Sequence, residues 1–213
     1  MPMKLKKTRN TKTRKSSPDS NDSTSSYDDY TQELSKQEII DKVKELGYVA
    51  FTGDIGIKGY REDGTLIKDL HYAFPKGLND YSIDKYPMKP NCHNSIFLKI
   101  HKEYGDLMVI DLDTKNKELS RQCLKIILDK YNLTNVWVDY TCNGGCHIYL
   151  KRPKSLEHMT NKTKLVYNGV EIDLLFTINA IMGGSWITDK YNYYWANLNP
   201  FTVETLQECP EDL

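Results

Sequence analysis

Apolar side chains fall into a regular pattern only after residue 33. Leu34, Ile39, Ile40, Val43 and Leu46 recur at helical spacing and Gly47 supplies a stop, which predicts a helix over 34–46. Tyr48 to Thr52 reads as extended. Arg61-Glu-Asp-Gly64 reads as the turn of a hairpin, because Asp-Gly accommodates the positive φ angles of a tight turn. Residues 75–94 carry Pro75, Gly77, Pro87 and Pro90 and predict irregular backbone. The second half is more regular. Asp106 to Leu112 is an apolar run of strand length that leads into Asp113. Lys117 to Tyr131 predicts a helix with Asn116 as N-cap and with Leu119, Cys123, Ile126, Ile127 and Tyr131 on its buried face. Further strands are predicted at 135–140, 147–150, 170–175, 180–182 and 191–195. Runs of strands around two helices predict an α+β fold, with helices packed on a mainly antiparallel sheet.

Residues 1–33 contain almost nothing apolar and predict a disordered tail, which leaves 34–213 as the folded domain. The tail runs from a basic stretch (Lys4, Lys6, Lys7, Arg9, Lys12, Arg14, Lys15) into a Ser/Asp-rich one. Its basic part has the chemistry of a DNA contact or a nuclear signal. The whole chain has 29 basic and 29 acidic residues; removing the seven basic and five acidic residues of 1–33 leaves 22 and 24. To bind a polyanion, a body this close to neutral would have to gather its positive charge in a cleft or in the tail. No apolar run approaches the roughly 20 residues that span a bilayer, and the charged, Ser-rich N-terminus lacks a secretory signal's apolar stretch. Five cysteines, an odd count, predict reduced thiols and an intracellular protein. Lysine outnumbers arginine 24 to 5, a bias that suits an AT-rich genome.

The densest chemistry lies in Val109-Ile-Asp-Leu-Asp113. Alternate side chains of a strand share a face, so Asp111 and Asp113 point the same way, about 7 Å apart along the backbone, while Ile110 and Leu112 face a core. Two carboxylates so placed at a strand end can hold divalent ions, and oxygen ligands favour Mg²⁺ or Mn²⁺ over zinc. Val170-Glu-Ile-Asp-Leu-Leu175 offers a second acidic strand. Ile172, Leu174 and Phe176 alternate on one face and Glu171, Asp173 and Leu175 on the other. Asp173 lies inside the apolar run, where a carboxylate is costly unless paired or metal-bound.

Between the acidic strands lies Asn143-Gly-Gly-Cys-His-Ile-Tyr-Leu150. Gly144 and Gly145 permit a tight turn with close backbone approach, after which His147 and Tyr149 share one strand face. A histidine there can donate to a phosphate oxygen, and Lys151 and Arg152, which follow, would extend the anion site. A rival reading takes Cys142, Cys146 and His147 with Cys92 and His93 as a zinc site, although the usual two-residue spacing between cysteines is absent. Trp186, Tyr191, Tyr193, Tyr194 and Trp195 cluster near the C-terminus, either to stack on nucleic-acid bases or to fill a core.

Taken together, Val109-Ile-Asp-Leu-Asp113, Gly145-Cys-His147 and Ile172-Asp173 resemble, in order and spacing, the motifs of the archaeo-eukaryotic primase superfamily. The likeness is greatest to its primase-polymerase (prim-pol) branch, found in the primase part of large DNA virus and plasmid primase-helicases. Gly183-Gly-Ser-Trp186 followed by Tyr194-Trp195 looks like a further family element, with glycines where prolines often stand before the serine. The resemblance spans residues 45–200 and implies an archaeo-eukaryotic primase/RRM-like catalytic core. It implies that Asp111, Asp113 and Asp173 ligate two Mg²⁺ or Mn²⁺ ions. It further implies that His147, Lys151, Arg152 and Ser185 serve the nucleotide, with His147 among the catalytic residues. The implied activity is template-dependent nucleotidyl transfer, by a DNA primase, a DNA polymerase or both, on nucleoside triphosphates and a single-stranded DNA template. No Gly-x₄-Gly-Lys-Ser/Thr occurs, so a partner replicative helicase would lie elsewhere. For a viral protein the expected compartment is the host cytoplasm, a virus factory or the nucleus. Two alternatives stand beside this one: a non-catalytic single-stranded nucleic-acid binding module, and a zinc-stabilised interaction domain.

Overall fold

A computed structural model describes residues 34–69, 89–114, 116–196 and 200–213. The tail expected at 1–33 and most of the irregular stretch expected at 75–94 lie outside them. Helix α1 spans Lys36–Glu45. Ser35 caps it by accepting from the Glu38 amide at 3.3 Å, while the Glu38 carboxylate accepts from the Ser35 amide at 2.7 Å. This reciprocal capping box satisfies two otherwise unpaired donors, and Ile39, Ile40 and Val43 are buried. Strands β1 (Ala50–Gly53), β4 (Ser95–Lys99) and β10 (Asn179–Ile181) form an antiparallel sheet in the order β1-β4-β10. Strands β2 (Gly56–Tyr60) and β3 (Leu66–Asp69) form a hairpin across the Asp63-Gly64 turn.

The central sheet has six strands. In spatial order they are β11 (Tyr194–Trp195), β6 (Trp137–Tyr140), β7 (Cys146–Lys151), β5 (Leu107–Asp113), β9 (Val170–Leu175) and β8 (Lys162–Tyr167), and every adjacent pair is antiparallel. Helix α2 (Lys117–Lys130) connects β5 to β6 while β7 lies between them, a split β-α-β arrangement. Ser120, Cys123, Leu124 and Ile127 of α2 are buried against Ile110, Leu112, Ile148 and Ile172 on one face of this sheet. The other face presents Trp137, Tyr149, Val109 and Leu175 to α1 and to Ile96, Leu98 and Ala180 of the three-stranded sheet. The architecture is thus α+β with antiparallel sheets and two α-helices among the described residues.

Two local expectations are corrected. Ile126 is 42% exposed rather than buried, because the inward face of α2 runs through 120, 123, 124 and 127. The strand expected at 191–195 shrinks to Tyr194–Trp195, since Thr188 to Tyr191 closes a turn and Trp186 bridges Asn192. No helix among the described residues is long and apolar enough to cross a membrane.

Candidate active site

Strand register builds the site. Asp111 on β5 pairs with His147 on β7 to one side and with Asp173 on β9 to the other. His147 in turn pairs with Asp139 on β6, and Asp139 with Trp195 on β11. Directly paired residues of antiparallel strands share a face with Cβ atoms about 4.5–5.5 Å apart. Trp195, Asp139, His147, Asp111 and Asp173 therefore form one row across five strands. The adjacent row toward the core is apolar (Trp137, Tyr149, Val109, Leu175), whereas on its other side Asp113 pairs with Glu171. The acidic row thus lies where the core gives way to polar surface. Burial falls along it: Asp139 is fully enclosed, His147 nearly so, and Asp111 and Asp173 are partly exposed, while Asp113 in the neighbouring row is exposed.

The buried end is tightly bonded. The Asp139 carboxylate accepts from the Tyr149 hydroxyl at 2.6 Å and from the Gly183 amide at 2.7 Å, and lies 3.0 Å from His147 Nδ1. His147 Nε2 faces Asp111 Oδ1 at 3.6 Å. Burial alone would lower the imidazole pKa, but the Asp139 and Asp111 carboxylates outweigh it and push it up to about 10. Gly183 has no room for a side chain, since a Cβ would sit 2.7 Å from the Trp195 indole, so the chain passes close enough for its amide to reach Asp139. Gly145 is equally constrained: a Cβ there would collide with the Leu112 carbonyl, which fixes the turn against β5 one residue before Asp113.

The exposed end is acidic on one side and basic on the other. Although Asp113 is exposed, the chain around it strips part of its hydration, and this first and Asp111 second hold its carboxyl above the ordinary range, with Asp173 adding to the shift and Lys68 and Arg61 opposing it. Those two cations belong to the β2–β3 hairpin. Lys68 Nζ donates to the Tyr193 hydroxyl at 2.5 Å, and the Tyr193 ring stacks on His147 with centroids 6.0 Å apart. The hairpin is pinned by the Asn143 side chain, which accepts from the Leu66 amide at 2.9 Å and donates to the Leu66 carbonyl at 3.1 Å. Tyr191 adds a hydroxyl bond to the Gly64 carbonyl at 2.8 Å.

Register thus gathers Asp111, Asp113, Asp173 and His147 with Asp139, which was not anticipated; the separate hairpin adds two further unanticipated residues, Lys68 and Arg61, whose charges reach Asp113. Register does not bring Lys151, Arg152 or Ser185 to them. Lys151 lies four residues beyond His147 on β7, about 13 Å away at strand rise, and pairs with Asp106 at 3.3 Å. Arg152 is buried and donates to the Leu107 and Phe176 carbonyls at 2.7 and 2.9 Å. Ser185 is buried, donates to the Met182 carbonyl at 2.8 Å and accepts from the Ile96 amide at 2.9 Å, so it latches its loop to β4 rather than facing a ligand. The clustered aromatics divide as well: Tyr191 and Tyr193 are buried and Trp195 packs on the core, leaving Trp186 and Tyr194 50% and 44% exposed.

The donor set suits a hard divalent cation, being three carboxylates on one sheet face whose mutual repulsion is visible at Asp113. Backbone register fixes only where each carboxylate starts. Among the described residues no three His, Cys, Asp or Glu side chains converge at ligating distance, so ligation requires rotation of the aspartate side chains. The thiols suit zinc poorly. Cys146 turns to Ser120 on the α2 face at 3.4 Å, Cys142 lies in a separate apolar cluster with Phe51 and Phe97, and Cys92 is exposed. His93 Nδ1 lies 2.8 Å from Thr52 Oγ1. No family model matches the chain, and no curated protein matches it in sequence.

Proposed function

We propose that this chain is a template-dependent nucleotidyltransferase, a DNA primase, a DNA polymerase or both, built on an archaeo-eukaryotic primase-like core. One observation carries the reading: Asp111 and Asp173, distant in sequence, are direct cross-strand partners beside His147 and Asp113, opposite a hairpin bearing Lys68 and Arg61. Carboxylates that attract cations, facing cations that attract phosphates, suit a metal-bound nucleoside triphosphate. Asp111, Asp113 and Asp173 would hold two Mg²⁺ or Mn²⁺ ions, which would supply activation of the attacking 3′-hydroxyl and charge neutralisation at the triphosphate.

The chain's own residues do the positioning. Lys68 and Arg61 bind phosphate oxygens, the role first assigned to Lys151, Arg152 and Ser185. His147, gripped by Asp139 and stacked under Tyr193, keeps its Nε2 at Asp111 and can turn it to an oxygen bound alongside. The 3′-oxygen bonds to the α-phosphorus in line with the leaving oxygen, and pyrophosphate departs. Single-stranded DNA supplies the template, with exposed Trp186 and Tyr194 available for stacking on its bases. A replicative helicase on another chain is the partner this activity calls for.

The test incubates the protein with single-stranded template, labelled nucleotides and Mn²⁺, beside an Asp111→Ala/Asp113→Ala variant. Extension products from the native protein alone support the reading. Equal template binding by both proteins, with no product from either, overturns it in favour of a binding module.

A further inference from the structure

We propose that Lys164 is the positioning residue of Asp173: its backbone amide holds Asp173 Oδ1 and leaves Oδ2 as the oxygen that meets a divalent cation. The inference rests on the reading of Asp173 as a metal ligand and names what orients it.

Strands β8 and β9 are joined by the two-residue turn Asn168-Gly169, with φ of 49° and 78°. Positive φ at both central residues matches the twist of the paired strands, so this turn sets their register. From it the strands run in step: Tyr167 faces Val170, Val166 faces Glu171 and Leu165 faces Ile172. The next pairing is Lys162 with Leu174. Three residues along β8 therefore span two along β9, and the extra residue of this bulge falls opposite Asp173. The turn is already closed at that point, so the connection does not call for the slip.

Lys164 carries the bulge in its backbone. Its φ is 60°, in the left-handed region. The other non-glycine residues with positive φ among the described residues are Asn132 and Asn168. Asparagine tolerates that region because its short side chain bonds locally. Lysine has no such compensation, and a residue kept in a sparsely populated conformation is held there by its surroundings. Its own side chain is exposed, so packing of the lysine does not do it. What the conformation gains is a bond: the Lys164 N–H donates to Asp173 Oδ1 at 2.7 Å. Asp111 faces Asp173 from the opposite strand and repels it. An amide donor on the β8 side stabilises the carboxylate against that repulsion and limits its rotation, as the hydrogen-bond partners of metal ligands do. A bulge bearing lysine also guards an edge strand against pairing, a role that needs no bond to Asp173.

Two measurements test the proposal. In the metal-free protein, amide hydrogen exchange followed by NMR in EDTA should find the Lys164 N–H protected, and the protection lost in Asp173→Ala. A Lys164 N–H that exchanges freely in the native protein overturns the proposal. The second measurement is Mn²⁺ affinity, read from the EPR signal of the free ion without nucleotide. Lys164→Val resists positive φ, where a β-branched residue is an outlier. It should weaken Mn²⁺ binding about 10–100-fold, the usual loss for a hydrogen-bond partner of a metal ligand. Lys164→Gly removes the ammonium but keeps the backbone conformation, and should rescue the affinity. Native affinity in Lys164→Val leaves the bulge as edge protection and overturns the proposal. Tighter binding in that variant, which would mean that the bond parks Asp173 away from the cation, overturns it too, as does an equal loss in both variants. The metal reading fails separately: no Mn²⁺ binding by the native protein, or binding unchanged in Asp111→Ala/Asp113→Ala, removes the cation from the acidic row even with the amide bond intact.

Discussion

Asp139→Asn keeps the outline of a fully buried side chain and removes its charge. In the native protein that carboxylate holds Tyr149, the Gly183 amide and, at 3.0 Å, the His147 ring. Burial opposes the imidazolium, yet Asp139 and then Asp111 raise its pKa to about 10 from an ordinary 6.5. Between those values the folded chain binds more protons at His147 than the unfolded chain does, so stability falls as pH rises. The contribution is complete below about pH 6.5 and gone above about pH 10. Losing one partner of a buried ion pair costs about 3–5 kcal/mol, so the variant should be destabilised by that much at pH 6. For a chain of this size the loss corresponds to a Tm lower by roughly 6–20 °C. The deficit should shrink toward pH 10, where the native protein has itself given up the proton. Urea denaturation followed by circular dichroism at pH 6, 8 and 10, in EDTA, measures it. A deficit below about 1 kcal/mol at pH 6, the range of an ordinary substitution, or one equal at pH 6 and 10, refutes the buried pair.

Three further outcomes separate positioning from scaffolding. Lys68→Ala combined with Arg61→Ala should raise KM for the nucleotide about tenfold or more in steady-state primer extension, with a smaller effect on kcat; an unchanged KM removes the hairpin from the site. Ser185→Ala leaves the Ile96 amide without its acceptor and should cost about 1–3 kcal/mol by thermal denaturation, with nucleotide KM unchanged. A raised KM at native stability would return Ser185 to the nucleotide. Gly145→Ala drives a Cβ into the Leu112 carbonyl and should destabilise by about 1–3 kcal/mol; a native Tm refutes the close approach.

Period-two alternation was enough to read from the chain that Asp111 and Asp113 share a face and that Ile110 and Leu112 oppose them, because strand geometry is local. Register is not local. His147, Lys151 and Arg152 look like one basic cluster in sequence, but an extended strand carries the last two to the far end of the sheet. Lys68 and Arg61 were beyond reach for the same reason: the hairpin turn is written in Asp63-Gly64, whereas its docking rests on the Asn143 amide. Asp139 was legible and overlooked. It stands inside Trp137-Val-Asp-Tyr140 as Asp173 stands inside its own apolar strand, and the same argument about a costly buried carboxylate applies to both. Ser35-x-x-Glu38 likewise marks the start of α1 in plain sequence.

Placing Asp111 directly opposite Asp173 is unfavourable in itself, since like charges on facing strand positions repel. The apolar pairs on the reverse side of the same two strands hold that alignment. Ile110 faces Leu174 and Leu112 faces Ile172, all packed in the layer beneath α2. Sliding β9 by one residue would turn Asp173 into that layer and lift Ile172 and Leu174 out of it. Each well-buried aliphatic side chain is worth about 1.5–3 kcal/mol, so the slip costs more than the surface repulsion it would relieve. The core under α2 therefore sets the spacing of the carboxylates above it, with Asp173 Oδ1 also accepting from the Lys164 amide at 2.7 Å on the neighbouring strand.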